Sequence, residues 1–263
     1  MNSQPLITLS QVNKFFENGI QALKNLNLTI SPGEFMSLVG PSGCGKSTLL
    51  RIIAGLTTQN SGTIQWRDQP SYSPGNPTDQ ESLAFVFQEP ALMPWATVRG
   101  NVRLPLKLTG MPKKDADYAI KEALQLVGLE RFAKSYPRQL SGGMKMRVSI
   151  ARALVTSPTV LLMDEPFGAL DDITRTQLNV ELLSLWRQQH WTIIFVTHNI
   201  YEAVYLSNRV VVMAPSPGRV ISDITIEEPY PRSEAFRTSV DYVQYCQQVA
   251  SELSKGMMAE GSI

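Results

Sequence analysis

Within nine positions, Gly40-Pro41-Ser42-Gly43-Cys44-Gly45-Lys46-Ser47-Thr48 combines three glycines with a lysine and neighbouring hydroxyls. The run fits the P-loop pattern, and it lies between a strand-like segment and a helix-like one, as that motif requires. Glycines let the backbone wrap an anion, and a helix N-terminus directs its N–H groups at phosphate oxygens. In this reading Lys46 reaches the β- and γ-phosphates of a nucleotide and the Ser47 hydroxyl ligates Mg²⁺. The bland alternative is a glycine-rich turn with a solvated lysine, which the flanking strand and helix disfavour. Cys44, among N–H groups and near Lys46, is expected to favour its thiolate.

A second cluster closes the apolar run Val160-Leu161-Leu162-Met163 with Asp164 and Glu165. A buried strand that presents acids at its C-terminal edge places them where α/β proteins bind ligands. Asp164 would hold Mg²⁺ through water, and Glu165 would take the proton of an attacking water. Two adjacent acids could equally cap the following helix; with the P-loop upstream, the catalytic reading dominates. A third cluster, Leu140-Ser141-Gly142-Gly143-Met144, opens a helix with small residues. Ser141 is either an N-cap or a hydroxyl offered, with the helix N–H groups, to a phosphate.

These residues need a scaffold that brings distant segments together. Strand-like runs cover 6–12, 26–30, 34–39, 63–66 and 83–88, and 46–54 reads as a helix closed by Gly55. From Pro90 to about Leu154 the strand signals vanish, and Ala116, Ile120, Ala123, Leu124 and Val127 recur at helical spacing. Alternation resumes with strands at 160–163, 192–196 and 210–213 and helices at 178–186 and 201–206; the tail offers one more strand and a terminal helix. Residues 70–80, rich in Ser, Pro, Gly, Asn and Asp, read as a surface loop. The fold class expected is α/β: a P-loop NTPase core with a parallel-rich sheet, an inserted helical subdomain and an N-terminal antiparallel β portion. Residues 1–92 and 158–226 would form the nucleotide-binding core, 93–157 the helical insertion and 227–263 a short C-terminal extension.

The bulk numbers exclude several classes. A chain of 263 residues with 43% hydrophobic residues can bury a full core without disulfide staples. Its two cysteines, Cys44 and Cys246, lack the spacing of a metal site or a redox couple. The balance of 24 basic against 23 acidic residues leaves a formal net charge of +1, which gives no whole-chain electrostatic argument for nucleic acid. No signal-peptide pattern opens the chain, and no apolar run is long enough to span a bilayer.

With these motifs in this order, the sequence resembles the ATP-binding cassette (ABC) family over about Leu6 to Ile226. Ser141-Gly142-Gly143 matches the family's signature, in which the bound phosphate belongs to the other subunit's nucleotide. Gln88 falls at the glutamine that contacts Mg²⁺ and links the site to a transmembrane partner. Gly168-Ala169-Leu170-Asp171 resembles the D-loop, with Asp171 at the nucleotide, and His198 matches the switch histidine that touches the γ-phosphate. Phe16 lies where the family stacks an aromatic ring on adenine, with Phe15 as its competitor, whereas His190 reads as a solvated residue at a helix end.

The resemblance implies ATP and Mg²⁺ as cofactors and a head-to-tail dimer of two copies. It also implies transmembrane permease subunits as partners, a solute-binding protein as an indirect one, and a place on the cytoplasmic face of the membrane. Residues 92–95, 169–175 and 201–206 resemble the importer branch for nitrate, sulfonates and taurine. Two positions depart from the family pattern: Met144 stands where glutamine is usual, and Asn199 where aspartate is usual. Rival readings are a soluble cassette ATPase acting on ribosomes or DNA and a P-loop small-molecule kinase. The first usually needs two cassettes in one chain or a coiled-coil insertion; the second needs neither signature nor D-loop.

Overall fold

The computed structural model describes residues 4–67 and 83–258. The loop expected at 70–80 lies outside the described residues. The chain divides into two compact units, 1–77 with 191–263 and 78–190. The boundaries expected at 92/93 and 157/158 fall inside the second of these.

In the first unit, β1 (Ile7–Phe15) pairs antiparallel with both β2 (Gln21–Ile30) and β4 (Ser61–Trp66). β2 begins five residues earlier than its apolar alternation suggests. The cause is Asn25, whose backbone adopts φ 44° and interrupts the alternation between Leu23 and Leu26. Its side chain and backbone are tied to Asn13 on β1, so the strand continues through the irregularity.

The second sheet of this unit is built on β3 (Phe35–Val39), which pairs in parallel with β7 (Thr192–Val196) on one side and β8 (Arg209–Met213) on the other. β9 (Val220–Thr225) joins β8 antiparallel. Every residue of β3 and β7 is buried, as expected of strands covered on both faces. The unit also contains α1 (Lys46–Ile53), α6 (Ile200–Leu206), α7 (Glu234–Arg237) and α8 (Val240–Met258). The first turn past α1 is Gly55, in the left-handed region at φ 68°.

Among the described residues, the second unit contains one parallel strand pair, β5 (Leu83–Val86) and β6 (Val160–Asp164), and four helices: α2 (Val98–Leu108), α3 (Lys113–Leu126), α4 (Gly142–Leu154) and α5 (Asp172–Gln189). Single 3₁₀ turns at Glu130–Phe132 and Pro137–Gln139 separate α3 from α4. The apolar positions expected from the sequence (Ala116, Ile120, Ala123, Leu124) are the buried face of α3. No helix among the described residues is long and apolar enough to cross a membrane.

Candidate functional site

In the first unit the P-loop leaves the C-terminal end of β3 and enters α1 through Gly45, which sits in the left-handed region at φ 97° and is the helix N-cap. No side chain caps this helix. A Cβ on Gly45 would lie 2.7 Å from Ala22 O and 2.8 Å from Leu23 Cδ2, so both the turn and the close packing on β2 require glycine. Lys46 is 5% exposed and folds back over the loop, donating to Gly40 O at 2.7 Å and Pro41 O at 3.0 Å. The lysine is therefore tied to the backbone of the loop that precedes its own helix.

Cys44 does not follow its sequence expectation. The thiol is buried, and burial pushes its pKa above the ordinary thiol value despite the opposing charge and hydrogen bonds of Lys46. Desolvation outweighs the nearby cation, so the thiol form is favoured.

A segment not singled out in the sequence backs this loop. Ser216 donates its hydroxyl to Gly43 O at 3.0 Å, and Gly218 exchanges backbone hydrogen bonds with β2, to Ala22 O and from Lys24 N, both at 2.9 Å. The Ser-Pro-Gly run at 216–218 was the available signal, but it reads as an ordinary turn until its distant partner is known.

His198 follows β7 and is exposed. The turn around it is pinned on both sides: Thr197 donates to Glu202 Oε2 at 2.5 Å, the Asn199 N–H donates to Thr197 Oγ1 at 3.0 Å, and the Asn199 side chain caps α6 by accepting from the Glu202 N–H at 3.2 Å. Asn199 thus keeps the capping role open to an aspartate while carrying no charge. Phe15 and Phe16 are each 44% exposed and line one hollow with Lys14, Glu17, Asn18 and Thr57, so burial does not separate the two candidates. Lys14 Nζ stands 5.5 Å from the centroid of the Phe16 ring, a cation–π contact.

In the second unit β6 ends on Asp164, which is buried. Glu165 then adopts φ 44°, a left-handed conformation that is costly for a residue with a side chain and is found disproportionately at functional sites. Gln88, two residues past β5, comes to the same place. A Cβ built on Gly168 would lie 3.6 Å from Glu165 Oε2 and 3.8 Å from Gln88 Nε2. The parallel register of β5 and β6 explains this convergence, because paired parallel strands release their chains at the same edge.

The turn after Glu165 is held by Arg175, which donates to Phe167 O at 3.3 Å, Leu170 O at 2.7 Å and Asp172 Oδ1 at 3.1 Å. Arg175 ends the 169–175 match, and its role depends on carbonyls that only the folded turn brings to it. Asp171 caps α5 by accepting from the Thr174 N–H at 3.0 Å, and this bond holds its carboxyl below the usual carboxylate range.

Ser141 is the N-cap of α4, its hydroxyl accepting from the Met144 N–H at 3.3 Å. Gly143 is needed for packing: a Cβ there would lie 2.6 Å from Thr174 Cγ2, so the start of α4 rests directly against the start of α5. Met144 is half-buried. The chain after Gln88 is likewise tied down, with Arg152 donating to Pro90 O and Ala91 O and buried Asn101 bonding Met93 and Ala96. Trp95, between these anchors, is 78% exposed.

The sequence and fold have matches among known proteins. The family model described as ABC transporter matches residues 23–168. The aliphatic sulfonates import ATP-binding protein SsuB of Bacillus cereus (strain ATCC 10987 / NRS 248) is 43% identical over 260 residues, 98% of this chain and 99% of its own length. Among solved structures, the dimeric form of the bacterial ABC transporter cassette MJ0796 superposes with a TM-score of 0.72 at 35% identity, over 85% of this chain and all of the cassette. Its post-hydrolysis state bound to ADP and Pi superposes with a TM-score of 0.71 at 34% identity and the same coverage. Taken with the P-loop, the signature helix and the acid-tipped strand β6, these matches mean that the chain belongs to the ABC transporter family as one of its ATP-binding, ATP-hydrolysing cassettes.

Proposed function

We propose that two copies of this chain form a head-to-tail dimer on the cytoplasmic face of the cell membrane, bound to transmembrane permease subunits. Its ATP hydrolysis drives import of an aliphatic sulfonate or a related small molecule such as taurine or nitrate, delivered by a solute-binding protein. The observation that carries the substrate class is the near full-length match to an aliphatic sulfonate import protein. The dimer is supported by the dimeric cassette among the structural relatives and by the two separate small-residue helix starts in one chain.

Within each site, the P-loop residues Gly40 to Thr48 cradle the phosphates and Lys46 neutralises the β- and γ-oxygens. Glu165 accepts the proton of the attacking water, Gln88 orients that water, and His198 donates to the γ-phosphate. Phe16 stacks on adenine. Ser141, Gly142 and Gly143 close on the nucleotide of the partner, and Asp171 lies at the same junction. The donors assigned to the metal, Ser47, Gln88 and Asp164, are all oxygen donors and include a single carboxylate, which suits Mg²⁺ shared with phosphate. When bound, the ion would supply neutralisation of phosphate charge. In the domain proposal, residues 1–92 and 158–226 form the nucleotide-binding core, 93–157 the helical insertion and 227–263 the extension.

The test joins two copies in tandem, one carrying Lys46→Ala and the other Ser141→Arg. If sites are shared across the dimer, both defects fall in one site and the other remains whole, so hydrolysis exceeds that of either doubly substituted dimer. A mixed dimer as inactive as both, with folding and dimerisation confirmed, would refute the head-to-tail arrangement. For the substrate class, the reconstituted transporter is expected to hydrolyse ATP faster when its binding protein is loaded with an alkanesulfonate than when it is empty.

A further inference from the structure

α6 has seven residues, too short to be stable alone, and its N-cap directly follows His198. Four carbonyls at its C-terminal end accept hydrogen bonds from two side chains further along the chain, Tyr230 and Arg232. Arg232 is 5% exposed and donates at 2.8 Å to each of Val204 O, Tyr205 O and Ser207 O. The carbonyl between them, Leu206 O, accepts from Tyr230 Oη, also at 2.8 Å. These are the carbonyls a helix leaves without partners at its last turn, and a cation there also meets the negative end of the helix dipole.

Arg232 is itself fixed in place. Its guanidinium lies 4.3 Å from the Tyr230 ring centroid and 5.3 Å from that of Phe236, and its own carbonyl accepts from Tyr205 Oη at 3.2 Å. Tyr242 of α8 adds a bond to Tyr201 O, in the first turn of α6, at 2.8 Å. A buried guanidinium in the extension that answers to backbone carbonyls, with no carboxylate within ion-pair distance among the described residues, is a costly way merely to end a helix.

We propose that Arg232, with Tyr230, is a positioning residue for ATP hydrolysis: it clamps the C-terminal end of α6 so that His198, at the other end, keeps its place. The effect on hydrolysis rests on the role given to His198 above; the clamp itself does not. Transmission through α6 is short and direct. Glu202, on its first turn, ties the helix to Thr197 and to the Asn199 cap that flank His198. A shift or fraying of the last turn therefore moves the segment carrying the imidazole.

The chain contains two histidines, so their imidazole Cε1–H signals can be read individually in histidine-labelled protein. His190, at the C-terminal end of α5, is the internal control. In Tyr230→Phe and Arg232→Lys, the His198 signal is expected to shift or broaden while that of His190 stays. The kcat for ATP should fall roughly threefold in the first and tenfold in the second, with KM for ATP within about twofold of native. Tyr230→Phe loses a single hydroxyl and carries the test if Arg232→Lys does not fold. An unmoved His198 signal in the folded Tyr230→Phe protein would overturn the clamp. A moved signal with unchanged kcat would instead reject the role of His198 in hydrolysis and leave the clamp standing.

Discussion

Both α1 and α4 begin on small residues, and both are assigned to phosphate, yet their first turns are built differently. α1 starts from a left-handed glycine, has no side-chain cap, and folds Lys46 back over the loop that precedes it. α4 starts from an extended serine whose hydroxyl already accepts from the Met144 N–H. The difference separates a helix start with no side-chain cap from one that its own serine already caps. In the proposed role, an anion at α1 would meet a lysine already tied to the loop backbone. At α4 it must share Ser141 with the helix that Ser141 caps.

The largest effect is expected from removing the charge of the first site. Lys46→Ala should lower hydrolysis at least ~100-fold, as loss of a preorganised charge-stabilising donor commonly does. Steady-state rates on purified protein check this, and a rate within a few fold of native would erase the contrast between the two helix starts.

The second effect concerns the backbone. Gly45→Ala must place a Cβ at φ 97° and 2.7 Å from Ala22 O, and should cost about 3 kcal/mol of stability. Gly142→Ala meets only the flexible end of Leu170 at 3.3 Å in a helical position, and should cost under ~1 kcal/mol. Denaturant unfolding of both variants distinguishes a shape-dependent start from a tolerant one. Equal losses would contradict it.

The third effect tests whether Ser141 caps, binds, or does both. Ser141→Ala should lower stability by about 1 kcal/mol through the lost cap. Ser141→Asp should restore the cap, and with it the stability, while its negative charge opposes a phosphate and keeps hydrolysis low. If the aspartate variant recovers both stability and hydrolysis, Ser141 only caps.

The smallest effect is at Met144, half-buried one turn into α4. Met144→Gln should lower the ATP concentration needed for half-maximal hydrolysis by less than tenfold, since one neutral hydrogen bond contributes about 1 kcal/mol net. A drop in melting temperature with unchanged ATP dependence would show instead that Met144 serves packing.

Where chemistry depends on contiguous residues, the sequence was legible. The P-loop, the acids closing β6 and the serine opening α4 are each written in fewer than ten neighbouring residues, because strand-to-loop-to-helix geometry is imposed by local backbone preferences. The buried runs β3, β6 and β7 were legible for the same reason: unbroken apolar stretches have one stable place, inside a covered sheet. Reading failed where a residue's environment comes from far along the chain. The start of β2 was missed because its continuation depends on the Asn13–Asn25 tie between strands.

The sequence by itself thus determined the family, the ATP chemistry and the elements that carry it. Only the tertiary structure decided which long-range contacts hold them. It buries Cys44, and so sets desolvation against the charge of Lys46. It seats Gly143 on Thr174 and brings Gln88 beside Glu165 through the parallel pairing of β5 and β6. It also carries Arg232 across 25 to 28 residues of chain to the last turn of α6. Dihedral preferences act between neighbours and can be read one residue at a time, whereas burial and carbonyl satisfaction are set by the whole folded unit.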